Sequence, residues 1–297
     1  MNIKHIIIPG GGANFPILLG ALCKLKKEGI WSYDKLKSIH GTSCGGLIGL
    51  MILLNPDWDD LYNYFINRPW NTLYEITPDM IFSAFSQKGL IDSSHFEKTL
   101  EPFFAVREWD ININLKELYD LTNIELNLYV TNFDKITSEV FNYKTHPELS
   151  VIKAASISAA LPPVVSPSTV NNTLYVDGGL LANNPIKQAL ETIDGEEHDH
   201  ILGFMVNYPD SSYNKKIDND ANILEYMSQL LAKLAWRCDP TSTINGGPPE
   251  LKNTVQVTFE SVTDSSTWVN LVIDPEYRKK KLQIGENYAQ IFLNYIK

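Results

Sequence analysis

Apolar residues recur along the chain with two periods, and the switches between them mark its elements. Residues 4–9 hold Ile6, Ile7 and Ile8, a short β-branched run that reads as a buried strand. Gly10, Gly11 and Gly12 follow at once. Over residues 15–28 the apolar positions Ile17, Leu18, Ala21, Leu22 and Leu25 share one side of a helix. Lys24, Lys26 and Lys27 near its end, and Gly29 after it, fit a helix terminus. Residues 36–54, LKSIHGTSCGGLIGLMILL, repeat the plan as strand, tight turn and helix. Two such units in succession predict a largely parallel sheet with helices packed on it.

Residues 55–90 break this rhythm. Aromatics crowd there (Trp58, Tyr62, Tyr64, Phe65, Trp70, Tyr74, Phe82, Phe85), punctuated by Pro56, Pro69 and Pro78, so short helices separated by turns are expected. Asp92 is a predicted N-cap for a helix to about Phe104, and residues 115–121 form another. Residues 124–133 alternate as a strand, with 137–143 as its antiparallel neighbour. A helix over 147–157 ends before Leu161-Pro162-Pro163. A strand over 173–176 runs into Asp177-Gly178-Gly179. Further helices are expected at 185–192, 223–237 and 275–295, and strands at 200–206 and 254–259. Residues 208–221, polar and rich in Asp, Ser and Asn, read as a mobile loop. No repeat, low-complexity tract or linker stands out, so one domain over 1–297 is expected.

The net charge of -10 argues against broad nucleic-acid binding, and against adsorption to anionic lipid by charge alone. The three cysteines, Cys23, Cys44 and Cys238, form neither a disulfide framework nor a metal spacing, which suits a reducing, cytoplasmic setting. The apolar run in MNIKHIIIPGGG is too short for a signal peptide, and residues 47–54 are too short to span a bilayer, so any membrane contact is expected to be peripheral. His5, His95, His146, His198 and His200 show no ligand spacing, and no metal or cofactor is expected.

Three glycine-bearing turns each follow a predicted strand: Gly10–Gly12, Gly41–Gly46 and Asp177–Gly179. If the three strands are parallel, the turns converge at one sheet edge, where ligands bind. In Gly41-Thr42-Ser43-Cys44-Gly45 the glycines permit a sharp bend, and the bend presents the Ser43 hydroxyl at a helix start. Acyl transfer needs a nucleophile, a base and oxyanion donors. Ser43 offers the hydroxyl. The amides of Cys44, Gly11 and Gly12 offer donors. His40 lies too close along the strand to serve as base, and Asp177 is the better candidate. Aspartate is a weak base in water, so an apolar roof over the site is expected.

The blocks GGGANF, GTSCGG and DGGLLANNP, in this order, resemble those of the patatin-like phospholipases. AASISAALPP and YVTNFD resemble further family segments, and the likeness covers residues 3–190. The resemblance implies an α/β fold: a three-layer α/β/α sandwich around a largely parallel sheet, related to the α/β-hydrolases. It implies a Ser43–Asp177 dyad without histidine, with Gly10, Gly11 and Gly12 as the oxyanion loop. It also implies hydrolysis of a lipid or fatty-acyl ester. The chain departs from the family pattern at Asn14 and Phe15, where a basic residue and a glycine are usual, leaving the loop without its cation. The aromatic stretch 58–85 reads most simply as core helices, the alternative being a cap or acyl-binding wall over Ser43, and residues 55–105 are a possible cap region. Arg278-Lys279-Lys280-Lys281 reads as a solvated helix face, and Asn183 and Asn184 as caps of the helix after them. A second reading is a catalytically weak or inactive module that binds lipid or a partner. A third is a nucleotide-binding loop at Gly10–Gly12. Oligomeric state is not legible.

Overall fold

The computed structural model describes residues 1–208, 216–217, 219–221, 223–239, 242, 245–259 and 265–296. The loop expected over 208–221 falls largely outside them, at 209–215 and 218.

Among the described residues an eight-stranded mixed sheet forms the middle layer of a three-layer α/β/α sandwich. Its order is β5 (Ser168–Val170), β6 (Thr173–Asp177), β3 (Glu125–Asn132), β2 (Ser38–Thr42), β1 (His5–Ile8), β7 (Ile201–Asn207) and β8 (Asn253–Thr258), with β4 (Thr137–Phe141) also paired to β3. The strands from β3 to β8 in this order are parallel; β4 and β6 pair antiparallel with β3, and β5 pairs antiparallel with β6. The isoleucine run of β1 has a direct cause. Ile6 and Ile8 join the main core, whereas Ile7 points the other way, against Ile186, Ala189, Ile193 and Ile201. A strand covered on both faces cannot alternate polar and apolar residues.

Helices α1 (Phe15–Lys27) and α2 (Cys44–Leu53) follow β1 and β2, the first as its periodicity predicts and the second as its unbroken apolar run after the Gly41–Gly46 turn predicts. The aromatic stretch forms α3 (Trp58–Asn67), α4 (Trp70–Leu73) and α5 (Pro78–Gln87), followed by α6 (Ser93–Val106) and α7 (Leu115–Thr122). Next come α8 (Val151–Ser158), α9 (Ile186–Thr192), α10 (Ile223–Cys238), α11 (Ser265–Ile273) and α12 (Pro275–Tyr295).

Four expectations need correction. The helix expected from residue 147 begins at Val151, because the carbonyls of Pro147 and Leu149 accept from Lys116 N and Leu115 N at the start of α7. Strand β5 and helix α11 were not foreseen; one is three residues long, and the other carries its apolar residues without a clear stripe. Asn183 and Asn184 do not cap α9, whose N-cap is Pro185; their amides bond the Gly10 carbonyl at 3.3 Å and the Phe204 carbonyl at 3.1 Å. The basic run on α12 is only half solvated. Arg278 and Lys281, three apart, share a face and are 2% and 4% exposed. The Arg278 guanidinium donates to Ile66 O and Leu271 O, each at 2.6 Å, in the last turns of α3 and α11. A cation there satisfies orphan carbonyls and suits the negative end of both helices.

Candidate active site

Strand β2 ends at Thr42 and α2 begins at Cys44, so the whole reversal falls on Ser43. Its φ of 55° and ψ of -128° lie where a non-glycine residue is strained. Such strain costs about 1–3 kcal/mol and persists only where the surroundings enforce it. The enforcement is visible. Gly45 packs so closely on the Ile8 carbonyl that any Cβ would overlap it. The Ser43 N–H donates to Ser158 Oγ at 3.0 Å, and that hydroxyl donates to Tyr129 O at 2.7 Å. The Thr42 hydroxyl donates to Ala182 O at 2.8 Å.

Asp177 reaches this turn by a route the sequence does not reveal. Tyr129 and Val130 are neighbours on β3; Tyr129 pairs with Thr42 and Val130 with Asp177. Strand β4 pairs with both and so occupies one edge of β3. Strands β2 and β6 must therefore share the other edge, running toward each other and meeting end to end. The expected convergence occurs, but by antiparallel approach rather than three parallel strand ends. Gly178 lies against the Tyr129 carbonyl at the junction, with no room for a Cβ.

The meeting leaves Ser43 Oγ donating to Asp177 Oδ2 at 2.8 Å. Gly179 N–H donates to the other carboxylate oxygen at 2.6 Å. The Asp177 main chain is pinned by its N–H to Ala160 O at 3.0 Å and by Thr131 Oγ1 donating to its carbonyl at 2.9 Å. The carboxyl is 2% exposed. Burial raises its pKa from 3.8 to about 6, against the opposing bonds from Gly179 and Ser43. A base with that pKa is ionised at neutral pH and is stronger than aspartate in water. His40 is not part of this pair. It is bonded to Ser38 Oγ at 2.9 Å and Tyr129 OH at 3.0 Å, and burial lowers its pKa to about 3.

The glycine loop stands beside the serine. The Gly10 N–H donates to Asn183 O at 2.9 Å, which commits that amide and leaves Gly11 and Gly12 as the loop's candidate donors. The Gly11 N–H donates to Cys44 Sγ at 3.0 Å. Burial pushes the Cys44 thiol up to about 12, outweighing the amides of Gly11, Gly12 and Gly45 directed at it. Cys44 is therefore a neutral thiol, a weak acceptor and no nucleophile. Asn183 ties the loop to the Asp177 block, bonding Gly10 through both its carbonyl and its side-chain amide.

Ser43 and Cys44 open onto an apolar cavity of about 190 Å³. Leu47 and Met51, one turn apart on α2, form one side; Phe65, Trp70 and Phe96 from the aromatic stretch and α6 form another; Trp268 and Leu271 of α11 close a third. Within residues 55–105 the parts differ: α5 buries none of its residues, whereas α3, α4 and α6 pack inward. Leu61, Phe65 and Trp70 are buried in the core and also line the cavity. The polar groups on the wall bond one another: Tyr64 OH donates to Thr99 O at 2.6 Å, and Tyr74 OH lies 2.9 Å from Thr99 Oγ1. Such a chamber accepts a hydrocarbon chain and solvates little else. Among the described residues no group of three or more His, Cys, Asp or Glu side chains could hold a metal ion.

Two contributors to this geometry escaped the sequence reading. Ser158 stood inside a recognised block, but a serine in a buried helix gives no local sign that it holds another residue's amide. Lys281 lies in a basic run that reads as solvated, yet its Nζ lies 3.3 Å from Asn14 Oδ1.

The model of the patatin-like phospholipase family matches residues 6–190. A probable lipid hydrolase, 463L, of Invertebrate iridescent virus 6 is 28% identical over 191 residues, covering 63% of this chain and 63% of that protein. An uncharacterized protein, R571, of Acanthamoeba polyphaga mimivirus is 24% identical over 187 residues, covering 62% and 61%. The chain thus spans just under two thirds of the length of these curated relatives. Among solved structures, VipD from Legionella pneumophila has a similar fold, with a TM-score of 0.56 at 16% identity, over 99% of this chain and 67% of that one.

Proposed function

The chain belongs to the patatin-like phospholipase family, and from that premise we propose that it is a serine lipid acyl hydrolase working through Ser43 and Asp177. The observation that carries this reading is the 2.8 Å hydrogen bond from Ser43 Oγ to a buried carboxylate at the mouth of an apolar cavity. A fatty-acyl chain fills the cavity and brings its ester carbonyl to Ser43. As Oγ attacks the carbonyl carbon, Asp177 takes the hydroxyl proton. The amide of Cys44 and those of Gly11 and Gly12 face the developing oxyanion, and a weakly accepting thiol gives up the Gly11 amide readily. Asp177 then returns its proton to the leaving alcohol. Water enters, loses a proton to Asp177 and attacks the acyl carbon; the Ser43 Oγ–acyl bond breaks, Oγ takes that proton from Asp177, and the fatty acid leaves.

A second reading, a lipid-binding module without turnover, draws support from the Gly11 amide being already engaged by Cys44 Sγ. A fluorophosphonate probe separates the two. The expected result is covalent labelling, mapped by mass spectrometry to Ser43. An unlabelled Ser43 in folded protein favours the binder.

We infer further that the substrate is met at a lipid surface. Tyr74 and Ile91 both line the cavity, and α5 lies between them in the chain with Ile81, Phe82 and Phe85 at 50%, 76% and 87% exposure. Two bare phenylalanines one turn apart gain about 1.5–3 kcal/mol each when fully covered by hydrocarbon. Residues 74–91 carry only Glu75, Asp79 and Lys88 as charged groups, so a zwitterionic surface fits better than an anionic one. No helix among the described residues is long and apolar enough to cross a membrane. The double change Phe82→Asp and Phe85→Asp is expected to lower turnover of phosphatidylcholine vesicles about tenfold or more. Hydrolysis of a soluble short-chain ester should stay unchanged. Equal activity on vesicles would remove α5 from the interface.

A further inference from the structure

Every residue of α2 is buried except Leu47 and Met51. These two stand one turn apart, and both line the cavity at Ser43, so the surface they keep faces it. Helix α2 leaves the sheet edge at Ser43 and runs back over β2 and β3. The cavity therefore descends along α2 from Ser43, past Leu47, to Met51. On α1 it descends likewise from Gly12, past Phe15, to Leu19. Both stripes then end in packed core. Leu54, the next position below Met51, and Leu22 and Cys23, the next below Leu19, are buried and lie outside the cavity wall.

The depth corresponds to about eight carbons, by length and by volume alike. From Cys44 to Met51 the helix rises about 10 Å. An extended hydrocarbon advances about 1.2 Å per bond, a third of the reach of an extended residue, so about eight carbons span that rise. An apolar cavity of about 150 Å³ holds the six carbons of benzene. In proportion, the 190 Å³ beside Ser43 holds about eight. Met51 suits the floor of such a space. In a helix its side chain leans back toward the N-terminus, which here means toward Ser43. It is also unbranched and adaptable, so the site tolerates a different side chain.

We propose that the cavity is a ruler for the acyl chain and that Met51 sets its floor, so that the preferred ester carries an acyl group of about eight carbons. This rests on the reading of Ser43 as the nucleophile and of the cavity as the acyl site. The test measures kcat/KM for wild type, S43A, M51A and M51W on p-nitrophenyl esters from butyryl to palmitoyl, all presented in the same detergent micelles. In wild type, kcat/KM is expected to rise about fourfold per added carbon as far as octanoyl, and then to level off or fall. M51A shortens the side chain at the floor and should raise the dodecanoyl-to-octanoyl ratio about tenfold or more. M51W fills the floor and should lower the octanoyl-to-butyryl ratio by a similar factor. Ratios taken within one variant cancel any general loss of folded enzyme, and M51A decides alone if M51W does not fold. A wild-type profile still rising at palmitoyl, a smaller rise in M51A, or a folded M51W that keeps the wild-type ratio overturns the proposal. Each of these outcomes in an enzyme that S43A silences leaves the reading of Ser43 standing. Turnover that survives S43A overturns that reading instead.

Discussion

Ser43→Ala is expected to reduce ester turnover by roughly three to six orders of magnitude while leaving the protein folded. The substitution removes only Oγ. The Ser43 N–H keeps its bond to Ser158 Oγ, the glycines of the turn are untouched, and the backbone stays at the same strained φ. Asp177→Asn should bring a loss of similar order by another route. Asparagine is close to the same size and can still accept from Gly179 N–H, but it cannot take a proton from Ser43. Because nucleophile and base act as a unit, combining the two changes should cost little more than either alone. Initial rates on a soluble ester, with circular dichroism and Tm as folding controls, provide the measurement. Substantial turnover in either folded variant would exclude the dyad.

The second large effect is on pH dependence. With burial raising the Asp177 pKa to about 6, the base is ionised above that pH and protonated below it. kcat/KM should therefore be flat above about pH 7 and fall about tenfold per pH unit below 6. Stability should run in the opposite sense. The folded pKa lies above the ordinary 3.8, so the folded state prefers the protonated carboxyl. That preference contributes fully below about pH 4 and is lost as pH rises through 6. Holding an ionised Asp177 in its buried position then costs the folded state about 3 kcal/mol. Asp177→Asn removes this cost and is expected to raise Tm by several degrees at pH 8, but far less at pH 4. Calorimetry at the two pH values measures the difference. A gain equal at both, or an acid limb near 4, would mean that burial does not govern this carboxyl. An inactive variant more stable than the enzyme would show that the site is held at the expense of stability.

The sequence disclosed features whose causes are local. Glycines at 41 and 45 around Ser43, between an apolar lead-in and an apolar helix, announce a bend that only small residues permit. Asp177 before two glycines announces another. Periodicity placed α1, a continuous apolar run placed α2 and the Asp92 cap placed α6, each to within a few residues, because these signals lie within a short window. Local pattern failed where a residue's partner lies far along the chain. Arg278 and Lys281 look like solvent residues until α3, α11 and the Asn14 turn close around them. Asn183 and Asn184 look like caps until the Gly10 loop reaches the one and β7 the other.

The direction of β6 is the clearest such case. Composition cannot distinguish a parallel strand from an antiparallel one of five residues, so the sequence could nominate Ser43 and Asp177 but not join them. The join depends on one register: Thr42 opposite Tyr129 and Asp177 opposite Val130. Slipping it by a single residue would turn the carboxylate to the other face of the sheet. The chain thus determined by itself which groups are available, since backbone sterics and hydrophobic period are properties of neighbouring residues. Only the folded molecule decided that a hydroxyl and a carboxylate 134 positions apart share a proton, because that depends on strands and helices packing across the whole core.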